Sequence, residues 1–446
     1  MALTGLEIFK LTPKKNCKEC GFPTCMAFAM KVASGAAAIE KCPHISEEAK
    51  AKLSEATAPL MRTVKIGAGE AEKTLGGETV MFRHEKTFVS KTLFAVQFSD
   101  AQSDTEVARK MENIRKVDYV RIGERMQVEL VAVKYAGNRE RYLKLIEQLK
   151  PLNKTFVLVV GDADVAAAAV ELVKEKKPAL VGADAGNLEA MAALAKEHGL
   201  VLGLNAESVE EMYTLAEKAQ QLGYRELLLN VGTTSIAKAF ANAVEFRRTA
   251  LVGQDRTLGY PSIVFANELA RGDALLQTAL AACFILKYGS IVVLDDITYA
   301  VALPLFGLRQ NIFTDPQKPM RVEPKVYEFG NPREDSPVLV TVDFALTYFV
   351  VSGEVERSKV PAYLMVPDAG GLSVLTSWAA GKFGASVIKK AIQESGLEEK
   401  LTRKRLILPG KVAVLKGDVE EELPGWEVIV GPKEALQIPR FLNELQ

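Results

Sequence analysis

An excess of charge, histidine and long apolar runs are what this chain lacks. Its 446 residues include 56 Lys plus Arg and 56 Asp plus Glu. No broad field of either sign remains to attract nucleic acid or an anionic membrane, so neither is an expected partner. The opening MALTGLEIFKLTPKKNC has no apolar run of the length a signal peptide needs. No uninterrupted apolar stretch approaches the roughly 20 residues of a membrane helix. A cytoplasmic protein with no membrane span is the expectation. Histidine occurs only at 44, 84 and 198, and the last two are isolated, which argues against a three-histidine metal site. Neither G-x-S-x-G nor a P-loop occurs, and the GAG at 67–69 lacks the third glycine of a dinucleotide fingerprint.

Cysteine is scarce but clustered. Four of the five fall in one window with the pattern C-x2-C-x4-C-x16-C: Cys17, Cys20, Cys25 and Cys42. In a reducing compartment such a cluster points to metal before disulfide. Gly21 and Pro23 favour turns around the first pair. Thr24 can cap a helix that starts at Cys25 and stops near Gly35. A thiolate at that helix start is stabilised by free N–H groups, and Pro43 after Cys42 matches the Cys-Pro ending of many cluster-binding runs. Three chemistries compete. A structural zinc site usually shows two close pairs or histidines. A redox disulfide leaves two thiols idle. A [4Fe–4S] cluster uses all four and suits the irregular spacing. The fifth cysteine, Cys283, lies in the apolar run TALAACFILKYG and reads as a small core residue.

At roughly 100–200 residues per domain the length suggests two to four domains. The reading is a cluster domain at 1–57, a linker at 58–91, a barrel at 92–314, a proline-rich linker at 315–337 and an α/β domain at 338–446. From residue 92 eight short β-rich runs recur: 92–99, 128–135, 155–162, 178–184, 200–205, 226–232, 262–267 and 291–296. Helical patterns or long connections separate them. Nearly continuous apolar strands belong to a parallel sheet covered on both faces. Eight such units suggest a TIM (β/α)8 barrel, with a doubly wound open sheet as the alternative. Polar residues close these strands: Gln97, Asp162, Asp184, Asn205, Asn230, Asn267, Asp295 and Asp296. They are either helix caps or an active-site rim, and capping accounts for most.

After the second linker, candidate strands at 338–344, 362–368, 405–410, 412–417 and 426–431 suggest a small flavodoxin- or Rossmann-like sheet. The segment AYLMVPDAGGLSVLTSWAAGKFG reads as strand, glycine turn and helix. Free N–H groups there can hold an anion or an amide oxygen. The same pattern also serves a turn that binds nothing.

The motif KKNCKECGFPTCMAFAMKVASG with Cys42-Pro43, and VPDAGGLSVLTSWAAGKF near the end, closely resemble the large (gamma) subunits of the corrinoid iron–sulfur proteins of the reductive acetyl-CoA pathway. The resemblance spans essentially the whole chain. It implies an N-terminal [4Fe–4S] domain on Cys17, Cys20, Cys25 and Cys42, a central TIM barrel and a C-terminal Rossmann-like corrinoid-binding domain. It places corrinoid contacts on Val340, Thr341, Leu346, Gly370, Gly371, Leu372, Ser373, Thr376 and Leu436. It implies a methyl carrier, not a self-sufficient enzyme. The carrier takes a methyl group from methyltetrahydrofolate on a methyltransferase partner and delivers it to the nickel cluster of acetyl-CoA synthase. The cluster reactivates oxidised cobalt. The resemblance also implies a heterodimer with a small subunit. Many corrinoid proteins carry an Asp-x-His-x-x-Gly motif; this chain has none, nor any histidine after His198, so the cofactor is expected base-off. The alternative is an iron–sulfur TIM-barrel enzyme acting on a pterin or folate.

Overall fold

The computed structural model describes residues 5–33, 37, 39–46, 49, 59–121, 123–315 and 317–445. Two compact units, Met1–Val120 with Arg125–Phe313 and Arg121–Glu124 with Thr314–Gln446, are each described by themselves. Gly35, the expected helix stop, lies outside the described residues.

In the first unit the eight expected strands all form: β1 (Leu93–Ser99), β2 (Leu130–Lys134), β3 (Thr155–Val159), β4 (Ala179–Ala183), β5 (Val201–Leu204), β6 (Leu227–Asn230), β7 (Ser262–Phe265) and β8 (Gly289–Leu294). All pairings are parallel and follow chain order, and β8 pairs back onto β1 through Ile291–Leu93 to Leu294–Val96. That closure rules out the open-sheet alternative. Side chains alternate along each strand. Leu93 and Ala95 join Leu130, Ala132, Val157 and Val181 in the barrel interior, whereas Phe94, Val96 and Phe98 pack outward under the helices. Both faces are buried, which is why the strands read as unbroken apolar runs.

Residues 58–91, read from the sequence as a linker with some extended structure, are more than a linker. Strands Thr63–Ile66 and Lys73–Gly76 pair as an antiparallel hairpin. Val64, Ile66 and Leu75 belong to the same interior cluster as the first residues of the barrel strands. The hairpin therefore plugs the barrel's N-terminal end. Arg62 bonds Glu226 at 2.6 Å, and the buried Glu78 carboxylate accepts N–H groups of Val89 and Ser90.

Cys283 is exposed on helix Ala274–Leu286, not buried as expected. That helix carries no charged residue on either face, so apolarity could not distinguish its inward side. Among the described residues no helix is long and apolar enough to cross a membrane.

One loop contact yields a pH prediction. Burial alone raises the Glu207 pKa, but bonds from the Thr233 and Thr234 N–H groups and hydroxyls outweigh it and hold it below the usual glutamate range. Its contribution to stability is fully present above the unfolded value and is lost as pH falls through the folded one. Glu207→Gln should therefore flatten the acid limb of a stability–pH curve. An acid limb identical to that of the parent would contradict the assignment.

The second unit is a five-stranded sheet: β9 (Lys325–Phe329), β10 (Val338–Val340), β11 (Ala362–Val366), β12 (Arg405–Leu408) and β13 (Glu427–Val430), in spatial order β9-β11-β10-β12-β13. Only β9 is antiparallel. It lies within 315–337, so that segment too is partly sheet and not only linker. The strand expected at 412–417 is instead a 3-10 turn, Gly410–Leu415, leading into helix Lys416–Glu422. Its short apolar run packs Val412 and Leu415 into the core without a neighbouring strand to pair with. The four parallel strands follow the 2-1-3-4 order of flavodoxin-like folds, whose switch point lies between β10 and β12.

Candidate functional site

The cysteine segment is shaped by its backbone. Lys14, Asn16 and Lys18 all sit at positive φ, of 57°, 46° and 65°, and Gly21 follows at 83°. Three non-glycine residues at alternate positions in this region are costly and mark a strained functional loop. Such turns aim backbone N–H groups inward, where they can meet thiolate charge. One such contact is present: Asn16 N–H points at Cys25 Sγ at 3.4 Å. The Asn16 side chain in turn accepts the Cys25 N–H at 2.8 Å. As expected, helix Cys25–Ala33 begins at Cys25, and Thr24 caps it by accepting the Ala27 N–H at 3.0 Å. Cys42 follows the short turn Ile39–Lys41.

Cys25 and Cys42 are buried, Cys20 half-buried and Cys17 exposed. Cys42 shares an apolar cluster with Ile8, Phe28, Val32 and Ile45, and Cys20 and Phe22 pack against it. Such a shell limits water access and tunes a bound metal centre. Among the described residues, one group of metal-ligating side chains has its ligand atoms all within 4.8 Å of one another: Cys17, Glu19 and His44. His44 bonds Glu19 at 3.1 Å close to Cys17. Sequence reasoning missed Asn16. The available signal was an Asn, one of the few residues that tolerate the left-handed region, directly before the first cysteine.

In the second unit a cleft of about 340 Å³ opens at the carboxyl ends of β10 and β12, at the switch point. Of the expected residues, Val340, Thr341, Leu346 and Ser373 line it. Leu436 stands 71% exposed beside the lining residue Ala435. Thr376 does not line the cleft, but its hydroxyl shares a hydrogen bond with Ser373 at 2.9 Å. Leu372, Gly370 and Gly371 are not among the lining residues either. The rim includes Leu346 at 66%, Val350 at 49% and Leu375 at 48% exposure. So much exposed apolar surface around one cleft marks a binding site. Val350 was missed. The signal was Leu346, Phe349 and Val350 at i, i+3 and i+4 on the exposed side of helix Ala345–Ser358. Thr341 is 1% exposed, and its Oγ1 has no hydrogen-bond partner.

The glycine turn has its own anchor. Asp343 is fully buried, and one oxygen accepts the N–H groups of Ala369 (3.1 Å) and Gly371 (2.9 Å). The other oxygen accepts Arg321 Nε at 2.6 Å, and the same guanidinium bonds Asp368. Gly370 and Gly371 have φ of +73° and +72°. A Cβ on Gly371 would lie 2.6 Å from Arg321 Cγ, and one on Gly370 2.9 Å from Lys382 Cδ. The turn and its latch therefore demand these glycines. They hold Ser373 and helix Val374–Ala379 against the cleft.

The barrel's polar rim is largely consumed by structure. Asp162 caps its helix through the Asp164 and Val165 N–H groups. Asp295 pairs with the buried Lys110 at 2.7 Å, and Asp296 accepts from Arg109 and Asn113. Asn230 donates to Asn205 at 3.1 Å. The oxygens of Gln97 and Asn267 have no partner.

A family model described as "CO dehydrogenase/acetyl-CoA synthase delta subunit" matches residues 63–442, and one described as "Putative Fe-S cluster" matches residues 13–44. The corrinoid/iron-sulfur protein large subunit of Moorella thermoacetica is 42% identical over 445 residues, covering 99% of this chain and 98% of that one. The chain belongs to the corrinoid/iron–sulfur protein large-subunit family. Gamma subunits of the acetyl-CoA decarbonylase/synthase complex are similar too. That of Methanopyrus kandleri is 35% identical over 455 residues, covering 99% of this chain and 98% of its own. That of Archaeoglobus fulgidus is 32% identical over 460 residues, covering 98% and 97%. All four clustered cysteines of this family member lie inside the 13–44 match, and the cleft lies inside the 63–442 match.

Proposed function

We propose that the chain is a corrinoid methyl carrier. It works with a small subunit, a methyltetrahydrofolate methyltransferase and acetyl-CoA synthase, and a [4Fe–4S] cluster on Cys17, Cys20, Cys25 and Cys42 returns oxidised cobalt to service. The observation that carries this reading is the apolar-rimmed cleft at the switch point of a sheet that contains no histidine. A bound corrinoid supplies a cobalt centre that, when reduced to Co(I), is nucleophilic enough to accept a methyl group and pass it on. The chain's residues do the rest. Leu346, Val350, Leu375 and Leu436 exclude water and offer apolar area to a macrocycle. Ser373 and Thr376 present hydroxyls at the cleft's edge, and the N-terminus of helix Val374–Ala379 adds N–H groups. This unit has no histidine, so a bound corrinoid would receive no imidazole from it, consistent with a base-off cofactor that is easier to reduce. Relatives named as subunits of a complex support the partners.

The consumed barrel rim favours the carrier over the pterin-enzyme alternative, since few of its polar groups are free to act on a substrate. Electron paramagnetic resonance of the Co(II) state tests the base-off assignment. We expect no nitrogen superhyperfine splitting on the axial lines, and a resolved nitrogen triplet would refute it.

Thr341 gives a prediction with two signs. Its unpartnered buried hydroxyl costs the empty domain stability, so Thr341→Val should leave that domain equally or more stable, by up to about 1 kcal/mol. Corrinoid affinity should fall about fivefold, the weight of one hydrogen bond. Thermal melts and corrinoid titration check the pair. A variant that is less stable but binds corrinoid unchanged would show that the hydroxyl serves folding only.

A further inference from the structure

We infer that the second unit carries another ligand site, for a phosphate group, at the opposite end of its parallel strands from the cleft. A cavity of about 270 Å³ lies where β10, β11 and β12 begin, lined by Arg333, Asp335, Pro361, Arg403, Arg405 and Leu445, among others.

Arg405, the first residue of β12, forms the floor. It is 7% exposed. Its guanidinium donates to two backbone carbonyls, Leu445 O at 3.2 Å and Asp335 O at 3.0 Å, and its Nε has no partner. Among the described residues it forms no ion pair. A buried cation held only by carbonyls is expensive unless an anion completes it. Burial first, and then the neighbouring Arg403, push its pKa down against the opposing pull of Glu427 and Asp335. Arg403 reaches only Glu427, at 3.8 Å between two largely exposed side chains. Arg333 has no ion pair among the described residues. The cavity is therefore lined by three arginines and one acidic residue, Asp335, with Glu427 beside Arg403.

The chemistry selects the ligand class. Guanidinium forks match phosphate oxygens bidentately, and several positive charges favour a multiply charged anion over a single carboxylate. At about 270 Å³ the cavity sits near the lower end of small-molecule pockets, room for a phosphate with a small organic group attached. The ligand is free phosphate or the phosphate end of a small monoester. Occupancy would tie the start of β12 to β10 and β11, on the same strands whose far ends line the cleft.

The full chain, with its cofactors bound, is titrated at constant ionic strength with inorganic phosphate and, separately, with ribose 5-phosphate, followed by calorimetry and phosphorus NMR. We expect saturable one-to-one binding that weakens at least about tenfold in Arg333→Ala/Arg403→Ala, whose exposed positions leave the fold and the visible spectrum unchanged. Arg405→Lys, which keeps the charge but loses the fork, should weaken it as well. Tighter binding of the ester assigns the site to a phosphorylated metabolite, and equal or tighter binding of phosphate assigns it to the free anion. Absence of saturable binding of either probe, or the same affinity in the double variant, would overturn the site.

Discussion

Cys20→Ala should lose its iron–sulfur absorption and, with it, more than about a hundredfold of the rate at which oxidised cobalt is returned to service. Changes to residues merely supporting a metal ligand cost about 10–100-fold, and removal of a ligand exceeds that. Methyl transfer measured after chemical reduction of the cobalt should stay close to the parent rate, because Cys20 lies in the first unit and every lining residue of the cleft lies in the second. The two rates separate electron delivery from methyl handling. Normal reactivation in the variant would remove the cluster from the scheme. Loss of both rates would mean that Cys20 supports the fold instead. Half-burial of Cys20 at the edge of the Phe28–Cys42 apolar cluster makes wholesale unfolding an unexpected outcome.

The other large effect should come from Asp343→Ala. This carboxylate is fully buried and accepts two turn N–H groups and the Arg321 guanidinium. Removing it leaves the N–H groups of Ala369 and Gly371 without their acceptor and Arg321 with only Asp368. Breaking a buried, hydrogen-bonded charge pair costs about 3–5 kcal/mol. Arg321 is 39% exposed at its side chain, so solvent returns part of the loss, and about 3 kcal/mol is expected. The turn then drifts and Ser373 no longer holds its place at the cleft, so corrinoid retention should fall with stability. Asp343→Asn, which keeps one acceptor for the two N–H groups, should lie between. A melting point within a degree of the parent, together with full corrinoid content, would show that the latch is dispensable.

Much of this architecture was legible in the chain. The eight barrel strands announced themselves because burial on both faces makes each an unbroken apolar run, and the four clustered cysteines carried their own spacing. Two kinds of feature were not legible. Residues 63–76 and 325–329 looked like linkers because Gly, Pro and charges dominate their surroundings. Their strand character comes from tertiary pairing, the hairpin against the barrel floor and β9 against β11. Cys283 was read as buried because helix Ala274–Leu286 is apolar all round, and periodicity cannot choose a face where every face looks alike. Of the residues the resemblance pointed to, Val340, Thr341, Leu346 and Ser373 line the cleft, whereas Gly370 and Gly371 proved to be fixed by Arg321, Lys382 and the turn itself. The pairing of Asp343 with Arg321 escaped notice because they stand 22 residues apart, and local pattern carries no signal for a contact of that kind.

Iron and cobalt analysis of the chain prepared without oxygen alongside its small subunit, read with its visible absorption, tests the central claim most directly. The account predicts iron in the proportion of one [4Fe–4S] cluster and cobalt in the proportion of one corrinoid, with a broad cluster absorption and distinct corrinoid bands. Zinc in place of iron, with no cobalt retained, would contradict it.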